Sequence, residues 1–120
     1  MTSPSYVLVV EDDDAFREIL TFFLERRGIR VVALANGALA LAHLDQGNHP
    51  TAIVCDVMMP GVLGTTVAAY LRASEVHRDI PIAFTTADPN LVPKEYHVWL
   101  KPYPVQEILR FVQDAVKKAA

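Results

Sequence analysis

Two patterns alternate along the chain, and that alternation narrows the fold more than any other feature. Short apolar runs fall at 6–10 (YVLVV), 30–34 (RVVAL), 51–55 (TAIVC), 82–85 (IAFT) and 98–100 (VWL). Between them lie longer stretches with apolar residues three and four apart, the period of a helix. The first covers 14–27, with Phe16, Ile19, Leu20, Phe23 and Leu24 at that spacing and Gly28 as its stop. Asn36 stands where it can cap a second helix running to about Gly47, with Leu41 and Leu44 inward. A third covers 65–74, after a loop at 58–64 marked by Pro60, Gly61 and Gly64. Pro104 opens the last, which puts Val105, Ile108, Leu109, Val112 and Val116 on one face.

Strands that are apolar throughout, rather than alternating, are buried on both faces, and strand–helix alternation makes the sheet parallel. Right-handed crossovers leave few topologies. The expected fold is therefore α/β: a flavodoxin-like, doubly wound, five-stranded parallel sheet of order 2-1-3-4-5. At 120 residues, with no repeat, linker or low-complexity tract, the chain reads as one domain over 1–120.

Composition removes several function classes. With 52% hydrophobic residues the chain can bury a core, and a net charge of −3 argues against a surface that coats nucleic acid. Cys55 is the only cysteine, so no internal disulfide forms and a reducing compartment fits. No basic region followed by an apolar core opens the chain, and no apolar run approaches the ~18 residues of a membrane span. The expected location is the cytoplasm, with neither nucleic acid nor membrane as a partner.

Open parallel sheets collect function at the carboxyl ends of their strands. There the sequence sets Glu11, Asp12, Asp13 and Asp14 after the first strand and Asp56 after the third. Thr85 and Thr86 follow the fourth, and Lys101 the fifth. Crowded carboxylates repel and call for a counter-charge. Oxygen-only ligands select a hard divalent cation, Mg²⁺ or Mn²⁺, over zinc. Lys101 adds a positive charge for an anionic group, and Thr86 adds a hydroxyl. An aspartate, a hard cation, a lysine and a hydroxyl make a site that handles phosphoryl groups by positioning and charge neutralisation. Asp13 and Asp14 read instead as the helix start, one of them its cap. Cys55 should point away from the Asp56 face into the core. His43, His49, His77 and His97 show no ligand spacing and read as surface or packing residues.

These segments resemble the response-regulator receiver domains of two-component signalling over nearly the whole chain. VLVVEDDDAFREIL is similar to that family's first strand, acidic pair and first helix, and IVCDVMMPGVLG to its phosphorylation loop. Thr86-Ala87 resembles its hydroxyl and small residue, and Lys101-Pro102 its lysine and cis proline. The resemblance implies Asp56 as phospho-acceptor, with Lys101 and Thr86 assisting. It implies Mg²⁺ held by Glu11, Asp12, Asp56 and the Met58 carbonyl. The partners it implies are a histidine kinase or phosphotransfer protein and a downstream protein target, and a second copy of the chain is open as well. The domain would be no enzyme beyond self-catalysed phosphotransfer and autodephosphorylation.

Departures from the family shape further expectations. Only 87–100 separates Thr86 from Lys101, a stretch shorter than usual by about two helical turns. It carries Pro89 and Pro93 as well, so the fourth helix should be absent or reduced to a turn and the output surface should differ. Val98 stands where the family places an aromatic switch residue, with Trp99 beside it. Met58 and Asp88 occupy the places of water-positioning groups, and Met58 cannot hold water, so autodephosphorylation should be slow; a phospho-aspartate lifetime of seconds would count against this. The leading reading is a phosphorelay receiver with no output domain of its own. A non-phosphorylated pseudo-receiver acting as an interaction module is the alternative. A phosphohydrolase is opposed by Met58, which stands where a second catalytic acid would be needed.

Overall fold

A computed structural model describes residues 5–102 and 104–119. Its elements run β1 (Val7–Val10), α1 (Asp14–Arg26), β2 (Val31–Leu34), α2 (Gly37–Asp45), β3 (Ala52–Asp56), α3 (Gly64–Ala73), β4 (Ile82–Thr86), a 3₁₀ turn (Pro89–Leu91), β5 (His97–Leu100) and α4 (Val105–Ala119). The five strands form one parallel sheet in the order β2-β1-β3-β4-β5, as the sequence predicts.

The sheet separates two cores because successive strand residues point to opposite faces. Leu8, Val10, Ile53, Cys55, Ile82 and Phe84 pack on one side with Ala40 and Leu44 of α2 and Val67, Ala68 and Leu71 of α3. Val7, Val9, Val54, Ala83 and Trp99 pack on the other with Leu20 and Leu24 of α1 and Ile108, Leu109 and Val112 of α4. Every residue of β1, β3 and β4 is buried, whereas the edge strands β2 and β5 are covered only in part. That is why the three central strands carry the purest apolar runs.

Caps account for the helix limits. Asp13 caps α1, its Oδ1 accepting from the Phe16 amide at 3.0 Å, and Asn36 caps α2 by accepting from the Leu39 amide at 2.8 Å. Gly28 follows α1 at φ 77, a conformation glycine adopts without strain. The apolar face of α1 is narrower than its spacing predicts. Leu20 and Leu24 are buried, but Ile19 and Phe23 are exposed. Each lies one residue, about 100° around the axis, from a buried leucine, and so falls on the flank of the packed stripe.

Between β4 and β5 no α-helix forms. Asp88 caps the single 3₁₀ turn and Pro89 opens it. Proline at position 93 has no N–H to donate back to Pro89, so a helix begun there cannot continue. Val92 donates to the Pro89 carbonyl at 3.2 Å instead, and its side chain closes the end of the α2–α3 core. The Lys101–Pro102 peptide bond is cis. Among the described residues no helix is long and apolar enough to cross a membrane.

Candidate functional site

Register and parity bring the charged residues together. Val10 pairs with Cys55, so Glu11 and Asp56, the next residues on β1 and β3, leave the sheet side by side. Both share the parity of Val9, Val54 and Trp99 and therefore point to the α1–α4 side. Lys101, two beyond Trp99, has that parity too. Its amide donates to the Thr86 carbonyl at 3.0 Å, which fixes the end of β5 against β4. The Lys101 ammonium lies 3.1 Å from Asp56 Oδ2 and 3.5 Å from Glu11 Oε1, with the Phe16 ring 6.0 Å away. Asp56 and Glu11 are 2% and 3% exposed; Asp12 is exposed at the rim.

Carboxylate oxygens of Glu11, Asp12 and Asp56 lie within 4.8 Å of one another. Their protonation shows the cost of that crowding. Burial lifts the Glu11 carboxyl to about 7; the charge of Asp56 adds to the lift, while the Asp13 amide and Lys101 oppose it. Burial also raises Asp56, helped by its hydrogen bond with Asp12 and held back by Lys101. Asp12 falls below its usual value, because hydrogen bonds with Asp56 and Glu11 outweigh the effect of its own burial. Burial pulls Lys101 down, and its bond to Asp56 and the neighbouring charges more than reverse that. Three converging carboxylates, with Lys101 as their counter-charge among the described residues, suit a hard divalent cation in donor type and in charge.

The protonation of Glu11 makes a testable prediction. Between its usual 4.5 and about 7 the folded state binds a proton that the unfolded chain releases. Stability without metal should therefore fall as pH rises through that window, by on the order of a few kcal/mol. Asp56, also raised, acts in the same direction. Mg²⁺ should restore stability above pH 7. Urea unfolding across this range, with Mg²⁺ and with a chelator, checks it; stability that rises with pH in the chelator would show that Glu11 is not held protonated.

Thr86 is buried at the end of β4, yet its parity is opposite to that of Asp56, and its hydroxyl bonds to the backbone of Asp88. Val98 packs against the α2–α3 core on the Thr86 side. Trp99, expected with Val98 as part of a switch, is not on that side: neighbours on a strand alternate, and Trp99 lies on the α1–α4 core at 5.5 Å from the Phe111 ring. The Met58 side chain is 57% exposed in the loop after β3. Cys55 is buried on the face opposite Asp56, and burial drives its thiol pKa far up.

The role of Arg17 escapes the sequence reading, as does the close approach at Gly64, which was marked only as a loop residue, while His77 is buried as one of the packing residues. Arg17 donates to the Glu11 carbonyl at 2.9 Å and pairs with Asp14 at 2.6 Å, so it fastens the acidic loop to α1. The i,i+3 spacing of Asp14 and Arg17 was its only signal. Gly64 passes against the backbone of Asp56, where an added Cβ would lie 2.2 Å from the Asp56 carbonyl oxygen. His77 is buried, its Nε2 3.0 Å from the Asn48 carbonyl, tying together two loops at the far end of the sheet.

Known proteins share both the sequence and the shape. The sensory transduction protein RegX3 of Mycobacterium bovis is 28% identical over 119 residues, a match covering 93% of this chain and 51% of RegX3. The chain thus spans about half the length of that relative. The transcriptional regulatory protein AfsQ1 of Streptomyces coelicolor is 40% identical over 81 residues, 68% of this chain and 34% of AfsQ1. The response regulator TrrA of Thermotoga maritima, solved in complex with Mg²⁺ and BeF, superposes with a TM-score of 0.80 at 26% identity, covering 93% of this chain and 99% of that one. The response regulator receiver domain matches residues 7–96, leaving Lys101 outside the matched stretch. That stretch carries four of the five strands and all three acids of the cluster, and the chain belongs to the response regulator receiver domain family.

Proposed function

We propose that the chain is a phosphorelay receiver that takes a phosphoryl group from the phosphohistidine of a histidine kinase or phosphotransfer protein onto Asp56. The observation that carries this reading is the position of Asp56: buried, bonded to Lys101 at 3.1 Å, and within 4.8 Å of the Glu11 and Asp12 oxygens. A carboxylate oxygen of Asp56 attacks phosphorus in line. The bond from phosphorus to the donor imidazole nitrogen breaks, and its electron pair stays on that nitrogen. The product is an acyl phosphate on Asp56. The Lys101 ammonium donates to a phosphoryl oxygen and so favours the charge that gathers there. Glu11, Asp12, Asp56 and the Met58 carbonyl would hold Mg²⁺, which supplies charge neutralisation when bound. Phosphorylation signals to a downstream protein target by a conformational change, and the activity stops at phosphotransfer and slow autodephosphorylation.

The pseudo-receiver reading draws on the missing helix between β4 and β5 and on Val98. Against it, Glu11, Asp12, Asp56, Thr86 and Lys101 are all present at the strand ends. Acetyl phosphate and Mg²⁺ separate the two. Incorporation of acid-stable, base-labile phosphate that disappears in Asp56→Asn and in chelator is the expected result. No incorporation in the unaltered protein would favour the pseudo-receiver, and continuous turnover of phosphomonoesters would favour a hydrolase.

A further inference from the structure

The β4–β5 connection is tied to the site through one hydroxyl. Thr86 Oγ1 accepts from the Asp88 amide at 3.1 Å and lies 3.3 Å from the Asp88 carbonyl, to which it donates. The Asp88 carbonyl also accepts from the Leu91 amide at 3.3 Å. The Asp88 side chain points along the chain rather than into the acidic cluster, and its Oδ1 accepts from the Asn90 amide at 3.0 Å. One residue thus caps the 3₁₀ turn with its carboxylate and engages Thr86 with both of its backbone groups.

A hydroxyl carries one proton and can donate it to one acceptor at a time. Thr86 therefore donates either to the Asp88 carbonyl or to an oxygen placed on Asp56, and each bond excludes the other. Val98 has no polar group or ring that could follow the hydroxyl. The turn at Pro89–Leu91 is short and exposed and is anchored inward chiefly by Val92, so loss of a bond at Asp88 is felt there first.

We propose that Asp88 is a positioning residue for Thr86: by capping the 3₁₀ turn it presents its own N–H and C=O to the Thr86 hydroxyl and holds that hydroxyl away from Asp56 at rest. Phosphorylation then competes for the hydroxyl, and the turn over residues 88–92 loosens as the hydroxyl leaves. This rests on the receiver reading above. It differs from a direct electrostatic role, in which the Asp88 charge would act on the phosphoryl group. The two roles separate because asparagine keeps a side-chain oxygen for the cap but carries no charge.

The test uses the full chain with Mg²⁺ and beryllofluoride as phosphoryl analogue. Fluorine NMR reports loading, and amide hydrogen exchange reports the turn. In the unaltered protein, loading should speed exchange at Asn90, Leu91 and Val92 several-fold. Asp88→Ala should show fast exchange before loading and bind beryllofluoride several-fold more tightly, because its Thr86 is already released. Asp88→Asn should match the unaltered protein in both respects. Thr86→Ser should keep the response to loading. Asp88→Asn behaving as Asp88→Ala would overturn the proposal in favour of charge, and so would a loaded protein whose exchange at 88–92 is unchanged. No bound fluorine signal in the unaltered protein would instead sink the receiver reading, and this proposal with it.

Discussion

Gly64→Ala should destabilise the domain by on the order of 3–5 kcal/mol, a large share of the stability of a domain this size. The Cβ it adds would lie 2.2 Å from the Asp56 carbonyl oxygen and 3.0 Å from both the Asp56 carbonyl carbon and Val57 Cα. All of these are backbone atoms, so no rotamer change relieves the clash. The approach is held from both ends, since Gly64 starts α3 and its amide donates to the Val57 carbonyl at 2.9 Å. Relief would have to come from moving α3 or the end of β3, and either displaces Asp56. Gly47→Ala is the control. Its Cβ meets nothing within 4 Å, and only its φ of 91 resists. That change should cost about 1–2 kcal/mol. Urea unfolding of both variants measures the difference, and equal midpoints would show that the close approach at Gly64 does not constrain the site.

Lys101→Ala should slow phosphorylation of Asp56 by about 10²-fold or more at saturating Mg²⁺, the usual scale for removing a placed donor. The Lys101 ammonium pairs with two carboxyls that are 2% and 3% exposed. Without it, burial raises both further, and Asp56 spends more time protonated and unable to attack. The phosphoryl oxygens also lose a charged donor. Lys101→Arg should recover little, because a planar guanidinium does not fit where a compact ammonium bridges two carboxylates. Initial rates with acetyl phosphate measure the effect. A loss smaller than about threefold would place Lys101 outside the reacting geometry, since a donor in contact is worth far more.

Much of this arrangement was legible in the residues. Apolar runs located the strands, and the parity of a strand was enough to send Cys55 into the core and Asp56 out at its end. The shortened connection and its two prolines located the missing helix. What could not be read depends on how separate segments meet. The spacing of Ile19, Leu20, Phe23 and Leu24 puts all four on one apolar stripe, and only the packing of α1 on β1 and α4 decides that Leu20 and Leu24 occupy its centre. The constraint on Gly64 exists because the loop after β3 folds back over Asp56. Arg17 reads as one arginine among several until its reach to the Glu11 carbonyl is seen. Trp99 sits next to Val98 in sequence, and the pleat sends it to the other core. The Thr86 hydroxyl was expected to face the phosphoryl site, and its engagement with Asp88 follows from a turn that the two prolines allow and no spacing announces.

The most direct measurement locates the covalent bond. Borohydride reduces an acyl phosphate to the alcohol, turning a phosphorylated aspartate into homoserine. After treatment with acetyl phosphate and Mg²⁺, then borohydride, peptide mapping should find homoserine at position 56 and at no other acidic residue. Homoserine at Asp12 or elsewhere, or none in protein that has been exposed to the donor, would contradict Asp56 as the acceptor.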